Sequence, residues 1–213
     1  MVTRTPRTQR PAGPPPDQAA LREAALAHLA RFSATERGLA QVLERRISRW
    51  GRRASESGTD ASEIAEITAR LMPLATSVAR TMVELGVIND SSFAKARATR
   101  LSHSGQSRRA IEARLAAKGI ATSTVSNVLN VTLGSDERAR ESELGAALVF
   151  ARKRRAGPFS VASPDESADR QKNEQRLLMA FARAGFARDI AMQALTTDRE
   201  EAEDRIIALK DAL

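Results

Sequence analysis

Two fifteen-residue stretches of the 213-residue chain align without a gap, and this internal repeat limits the possible folds more than any other feature. They read LAAKGIATSTVSNVL from Leu115 and FARAGFARDIAMQAL from Phe181. Each has an apolar residue four positions before a glycine, another directly after it and a leucine ten positions after it. A glycine in the left-handed conformation ends a helix, and the apolar residue that follows packs onto the last turn. The repeat therefore predicts tandem helical units, each too small to bury its apolar face alone.

The composition favours the same fold class. Apolar residues make up 42% of the chain, but aromatic residues only 3%, and 28% of the residues are charged. Alanine-rich, aromatic-poor sequences of this kind are typical of packed helices, and no alternating strand pattern is present. We therefore expect an all-α protein built from tandem three-helix repeats.

Helix-start and helix-stop signals divide the chain into a tail and three units. The tail is rich in Pro and Arg and is expected to be disordered. The predicted segments are the tail 1–16, repeat one 17–88, repeat two 89–133, and 134–213, which holds repeat three and a C-terminal acidic helix.

Several local signals predict where individual helices begin and end. Capping boxes are predicted at Ser33–Glu36 and Ser163–Glu166, and Thr197 with Glu200 should cap the last helix. The stretch GRRASESGT (51–59) reads as a loop. Pro73 should kink or restart the third helix.

The sequence offers little for catalysis or for binding a cofactor or metal. Cysteine is absent, which fits a reducing compartment, and His28 and His103 have no ligand-like spacing. No phosphate-cradling, dinucleotide or nucleophile motif occurs. No stretch is apolar for long enough to span a bilayer, and the N-terminus lacks a signal-peptide core. We expect a protein that is not an enzyme and has no cofactor.

The net charge of +8 suggests the kind of partner. The first sixteen residues hold three arginines and no acid, so the rest of the chain keeps about five of these charges. Such a bias favours a polyanionic partner, either nucleic acid or an acidic protein surface. The alternative is a soluble protein that is merely basic.

The densest basic cluster lies between residues 95 and 118 and contains a single acid, Glu112. Arg97 and Arg100 share a helical stripe with Phe93 and Leu101. Their stems either cover the edge of the core, with the guanidinium groups in water, or their head groups contact phosphates or carboxylates. The seven cations are Lys95, Arg97, Arg100, Arg108, Arg109, Arg114 and Lys118.

A second cluster, Arg152-Lys153-Arg154-Arg155, lies at the predicted end of a helix. Cations there complement the negative end of the helix dipole, which explains much of the run, and a contact role for two of the four stays open. Trp50 has arginines around it and is expected to close a core rather than to stack on a base.

The chain resembles the RecX family, which comprises bacterial regulators of the RecA recombinase. LARFSATERGLAQVLERR (29–46), ARKRRAGPF (151–159) and FARAGFARDIA (181–191) carry part of the likeness, which extends from about residue 20 to 196. The sequence departs from the family pattern at Asn89, at an insertion over 52–59 and at Pro73. The family pattern between 85 and 120 is matched by Leu85, Gly86, Ile88, Asp90, Phe93, Ala94, Gly105, Ile111, Leu115, Lys118, Gly119 and Ile120.

This resemblance implies an elongated, curved array of helices that is not an enzyme. It implies a cytoplasmic monomer that lodges in the groove of the RecA–DNA filament and inhibits its ATPase, strand exchange and growth. The alternative is a basic helical protein that coats DNA without contacting RecA. From charge and position, the residues expected to contact RecA or DNA are Arg97, Arg100, Arg108, Arg109, Arg114, Lys118, Arg152, Lys153, Arg154 and Arg155.

Overall fold

The computed structural model describes residues 12–160 and 167–212, with the side chains of 167–170 left aside. All the regular structure in these ranges is helical, so the predicted all-α class is confirmed. The α-helices are α1 (Gln18–Leu29), α2 (Glu36–Glu56), α3 (Ala61–Glu84), α4 (Asp90–His103), α5 (Arg108–Ala117), α6 (Thr122–Leu133), α7 (Asp136–Lys153), α8 (Ser167–Arg183), α9 (Arg188–Thr196) and α10 (Arg199–Asp211), with a short 3-10 helix at Gly157–Phe159.

The chain divides into two compact units, and the division falls between Asp90 and Ser91. Buried apolar residues of the N-terminal unit form one cluster, which joins α1, α2 and α3. The C-terminal unit has two clusters, one on α4, α5 and α6 and one on α7 through α10. The predicted repeat boundaries within these units stay a prediction.

Helix α2 is longer than the sequence predicted, because residues 51–56 continue it rather than forming a loop. Gly51 is buried inside this helix, and a Cβ there would lie 3.3 Å from Cγ2 of Ile64 on α3. Glycine therefore permits a close approach of two helices, whereas the sequence analysis interpreted it as a helix breaker.

Two predicted helix caps were wrong by one or two residues. Thr35 caps α2, since its Oγ1 accepts a hydrogen bond from the amide of Gly38 at 3.0 Å. Asp198 caps α10 by accepting from the amide of Glu200 at 2.9 Å. In both cases two candidate capping residues are close in sequence, and the cap formed at the residue nearer the helix.

Pro73 neither ends nor restarts α3, which runs as one helix from Ala61 to Glu84. The missing amide of a proline removes one bond of the helical ladder, but burial of one helical face can offset that loss. Buried residues occur on both sides of Pro73, at Leu71 and Ala75.

The glycine ends of the repeat have the conformation that the sequence predicted. Gly119 and Gly185 have φ angles of 79° and 90°, in the left-handed region. The amide of Phe186 donates to the carbonyl oxygen of Phe181 at 3.1 Å, which is the six-to-one bond that closes a helix. The amide of Ile120 makes the same bond, at 3.4 Å, to Leu115.

Two predictions lie largely or wholly outside the described residues. The capping box at Ser163–Glu166 is one, and residues 1–11 of the expected disordered tail are the other. Within the described ranges, none of the helices has the length and apolar content that a membrane span requires.

Candidate basic interaction surface

The turn between α4 and α5 packs directly against the backbone of α7. Gly105 in this turn has a φ angle of 77°, and a Cβ there would lie 2.9 Å from the amide nitrogen of Phe150. Glycine is required at this position for both its conformation and its lack of a side chain. The turn therefore brings the basic residues at the start of α5 to the helix that carries the second basic cluster.

Ser107 fixes the start of α5 in two directions. Its Oγ accepts a hydrogen bond from the amide of Ala110 at 3.2 Å and donates one to the carbonyl oxygen of Ala184 at 2.7 Å. Ala184 lies just after α8, and a Cβ at the following Gly185 would lie 2.6 Å from the same Oγ. The first turn of α5 is thereby held between α7 and the turn from α8 to α9.

The guanidinium group of Arg108 donates hydrogen bonds to other residues of the protein. Nη1 donates to the carbonyl oxygen of Gly134 at 3.0 Å and to that of Leu129 at 3.4 Å. Nη2 donates to Oδ1 of Asn130 at 2.6 Å. These acceptors lie at the C-terminal end of α6, where free carbonyl groups favour a cation. Arg108 therefore acts first as a cap for α6.

Glu143 on α7 accepts a hydrogen bond from the amide of Arg108 at 2.9 Å, at the positive end of α5. Burial raises the pKa of this carboxyl, and the hydrogen bond and charge of Arg108 only partly oppose that shift. The half-buried carboxylate thus ties α5 to α7, and its ionisation has a desolvation cost.

Lys153 joins the two basic clusters that the sequence analysis treated separately. Its Nζ donates to the carbonyl oxygen of Ser104 at 2.8 Å, at the end of α4. The amide of Ser104 in turn donates to the carbonyl oxygen of Arg100 at 3.1 Å. The last turn of α4, which carries Arg100, therefore lies beside the last turn of α7.

Arg154 lies over an aromatic cluster. Its Cζ is 4.5 Å from the ring centroid of Phe150, within the range of a cation–π contact. The ring of Phe150 packs edge-on against Phe181 at 4.8 Å and lies 5.5 Å from Phe186. Phe181 and Phe186, on either side of the glycine end of α8, therefore help to position this arginine.

Arg155 ends α7 in an unusual conformation for a residue with a side chain. Its φ angle is 52°, and the amide of Ala156 donates to the carbonyl oxygen of Ala151 at 3.0 Å. This is the bonding pattern of the glycine ends, with an arginine at the left-handed position. The sequence analysis placed the second basic cluster at the end of a helix, and α7 does end within it, at Lys153.

We use the name basic surface for the ten candidate residues on α4, α5 and the end of α7. Arg97 and Arg108 are half-buried and the other eight are exposed. Arg108, Lys153 and Arg154 have the internal contacts given above. Within the described ranges, six of the ten take part in no ion pair, hydrogen bond or ring contact from their side chains, namely Arg97, Arg100, Arg109, Arg114, Arg152 and Arg155.

The sequence analysis did not identify Glu143, Asn130 and Phe150 as neighbours of the basic residues. Glu143 and Asn130 belong to other helices than their partner Arg108, so spacing along one helix gives no signal of those contacts. Phe150 lies on α7 four residues before Arg154, and this i, i+4 spacing is the signal that could have identified it. Among the described residues, no group of histidines and acids is placed to hold a metal ion.

Comparison with known proteins gives the family. A "Regulatory protein RecX" from Myxococcus xanthus is 32% identical over 179 residues, which cover 84% of this chain and 85% of that protein. The chain belongs to the RecX family. The RecX protein of Agrobacterium fabrum is 33% identical over 117 residues, which cover 55% of this chain and 56% of that protein. No protein-family model matches the chain.

The fold agrees with RecX membership. The crystal structure of RecX from Lactobacillus salivarius aligns with a TM-score of 0.50 at 17% identity, covering 87% of this chain and 96% of that one. At such low identity the likeness supports the helical fold alone. The family resemblance inferred from the motifs is thus confirmed, and RecX membership makes a regulatory role the starting point for function.

Proposed function

We propose that this RecX-family protein regulates RecA by binding the RecA–single-stranded DNA filament. In this role it inhibits the RecA ATPase, strand exchange and filament growth, and so modulates recombination, DNA repair and the SOS response. The single observation that carries the proposal is RecX membership, because proteins of this family are named as regulators. The protein acts in the cytoplasm as a monomer, without catalysis and without a cofactor.

The basic surface supplies the contacts in this proposal. Exposed arginines without an internal partner keep all five of their guanidinium donors for phosphates or carboxylates. Arg100 and Arg109 are the strongest candidates, since both are exposed and lie close to the turn that joins the two basic clusters. Arg108, in contrast, contributes chiefly by holding α5 and α6 in place.

The mechanism is electrostatic docking onto a polyanionic filament. Each contacted phosphate releases condensed counterions, so binding should weaken as the salt concentration rises. Direct coating of DNA would show the same dependence. Salt titration therefore cannot separate filament binding from DNA binding, and the deciding variable is the dependence on RecA.

The test is a titration of RecA ATPase on single-stranded DNA with this protein at amounts well below one per RecA. Filament-specific action predicts strong inhibition at such ratios. If inhibition appears only when the protein suffices to cover the DNA, competition for the strand replaces the proposal.

A charge-reversal variant assigns the contact residues. Arg97, Arg100 and Arg109 are changed together to Glu, and inhibition should fall while helix content stays unchanged. The matched control reverses Arg37, Arg70 and Arg80, which are exposed on α2 and α3 and have no ion pair in the described ranges. Unchanged inhibition by the first variant, or an equal loss in both, would refute the assignment to the basic surface.

A further inference from the structure

A pocket on the N-terminal unit has a different construction from the basic surface. It has a volume of about 410 Å³ and lies between α2 and the segment that precedes α1. One wall is apolar and includes Pro14, Pro15 and Pro16. The opposite wall is the face of α2 that carries Trp50.

The segment before α1 is held in place by the only tryptophan of the chain. Nε1 of Trp50 donates a hydrogen bond to the carbonyl oxygen of Gly13 at 3.1 Å, and Trp50 as a whole residue is only 9% exposed. Gly13 has a φ angle of 69°, a conformation that glycine adopts without strain. The segment that forms the apolar wall is therefore attached by a hydrogen bond to Trp50 on the α2 wall.

Three arginines surround Trp50 on this wall. Arg46, Arg49 and Arg53 follow steps of three and four residues, so they form one stripe of α2 and repel one another. None of them takes part in the ion pairs that the described residues form. One carboxylate, that of Asp17, also lines the pocket, and it accepts the amide of Ala20 at 2.7 Å as the cap of α1.

The pocket thus has an excess of two positive charges opposite an apolar wall. Guanidinium groups bind phosphate oxygens through paired hydrogen bonds, and the proline rings of the other wall offer an apolar surface to a sugar or a base. The volume lies within the usual range for a small-molecule site. The arginine stripe therefore faces a proline wall that Trp50 holds in place, rather than water alone.

We propose that this pocket binds the phosphate groups of a nucleotide, through Arg46, Arg49 and Arg53. The phosphates come from a free nucleotide or from the backbone of a single strand, and the same three arginines serve in both cases. The inference does not rest on the proposed regulation of RecA, because all the residues that carry it lie in the N-terminal unit.

Trp50 supplies a direct readout, since the chain has no other tryptophan and no tyrosine. Its fluorescence is recorded for the full-length protein during titration with inorganic pyrophosphate, and separately with the oligonucleotide (dT)6, at constant ionic strength. Isothermal titration calorimetry is run with the same two probes, so that binding without a fluorescence change is still detected. We expect saturable binding of at least one probe.

A pair of variants with equal charge change tests the location. Arg46→Gln with Arg49→Gln removes two arginines of the pocket, whereas Arg45→Gln with Arg52→Gln removes two exposed arginines of α2 that do not line it. The first variant should bind about tenfold more weakly or worse, and the second should bind within about twofold of the original. Arg53→Gln alone provides a milder version of the first variant should the double change alter the fold.

The outcomes distinguish a strand backbone from a small phosphate ligand, and both of these from the absence of a site. Tighter binding of (dT)6 than of pyrophosphate, lost only in the pocket variant, indicates a backbone site. Saturable binding of pyrophosphate alone indicates a small phosphate ligand. The absence of saturable binding in both methods overturns the proposal, and so does an equal loss in the two double variants.

Discussion

Oγ of Ser107 lies 2.7 Å from the carbonyl oxygen of Ala184 and donates a hydrogen bond to it, across 77 residues of sequence. Ser107 is fully buried, and it also caps α5 through the amide of Ala110. One hydroxyl group therefore closes the start of α5 and the end of α8 together. The basic residues at the start of α5 owe their position to this contact as well as to Gly105 and Glu143.

Replacement of Ser107 by Ala should destabilise the C-terminal unit. The change leaves the carbonyl group of Ala184 and the amide of Ala110 without the hydroxyl that each contacts. Loss of a helix cap and of a buried hydrogen bond together predicts a decrease of about 2 kcal/mol in the free energy of unfolding. Urea denaturation followed by circular dichroism measures it.

The control for this prediction is Ser126→Ala, at an exposed position of α6. That change should alter the free energy of unfolding by less than about 0.5 kcal/mol. Equal stability of the two variants would mean that the hydroxyl of Ser107 has no role in joining α5 to α8.

The helix ends at Gly119 and Gly185 could be predicted because all their determinants are local. The glycine, the apolar residue after it and the one four positions before it lie within six residues. The same local reasoning failed at Gly51, where the partner that requires a glycine is Ile64 on the next helix. A glycine that ends a helix and one that permits close packing look alike in a sequence.

The basic surface could be predicted as a set of residues but not as an arrangement. The density of arginine and lysine between 95 and 118 is visible in the sequence. The different roles of Arg108 and Arg109 are not visible there, because the acceptors of Arg108 lie 21 to 26 residues further along the chain. Nothing local distinguishes these two neighbouring arginines.

Glu143 should make the stability of the protein depend on pH. Its pKa in the folded state is raised above the ordinary value of 4.5, chiefly by burial. Between that value and the raised pKa, the folded state binds more protons than the unfolded state, so stability decreases as the pH rises. The contribution of Glu143 to the stability is fully present below pH 4.5 and is lost as the pH rises through the raised pKa.

Glu143→Gln isolates this effect, because a glutamine oxygen can still accept from the amide of Arg108. From pH 4 upward, the difference in unfolding free energy should shift in favour of the variant, by at most about 1.4 kcal/mol per pH unit. Urea denaturation of both proteins from pH 4 to 7 gives this difference, in which other titrating groups largely cancel. A difference that stays constant with pH would contradict the prediction.

Arg155→Gly should stabilise the protein. Arg155 has a φ angle of 52°, and the left-handed region costs a residue with a side chain about 1 kcal/mol, whereas glycine adopts it freely. The greater freedom of glycine in the unfolded state offsets part of the gain, which leaves about 0.5 kcal/mol. Thermal unfolding measures the change, and Arg155→Ala, which removes the charge but keeps the strain, is the matched comparison. Equal stability of the glycine and alanine variants would show that strain is not relieved there.

Arg108 and Arg109 give the sharpest separation between a structural and a contact role. Arg108→Gln removes the donors to Leu129, Asn130 and Gly134, and should lower the free energy of unfolding by about 1–3 kcal/mol. Arg109→Gln removes an exposed side chain without an internal partner, and should change it by less than about 0.5 kcal/mol. Urea denaturation compares the two variants.

In an assay of RecA ATPase inhibition, the variant with the larger loss should be Arg109→Gln rather than Arg108→Gln, provided that both variants are folded. Arg109→Gln then weakens inhibition because a donor to the filament is lost, whereas Arg108→Gln at a temperature well below its unfolding transition inhibits nearly as well as the original protein. A contact role for Arg108 would require it to leave the end of α6, at the cost of the hydrogen bonds that it makes there. Loss of inhibition in the Arg108 variant alone would therefore place the filament contact at α6, and Arg109 would become an ordinary solvated residue.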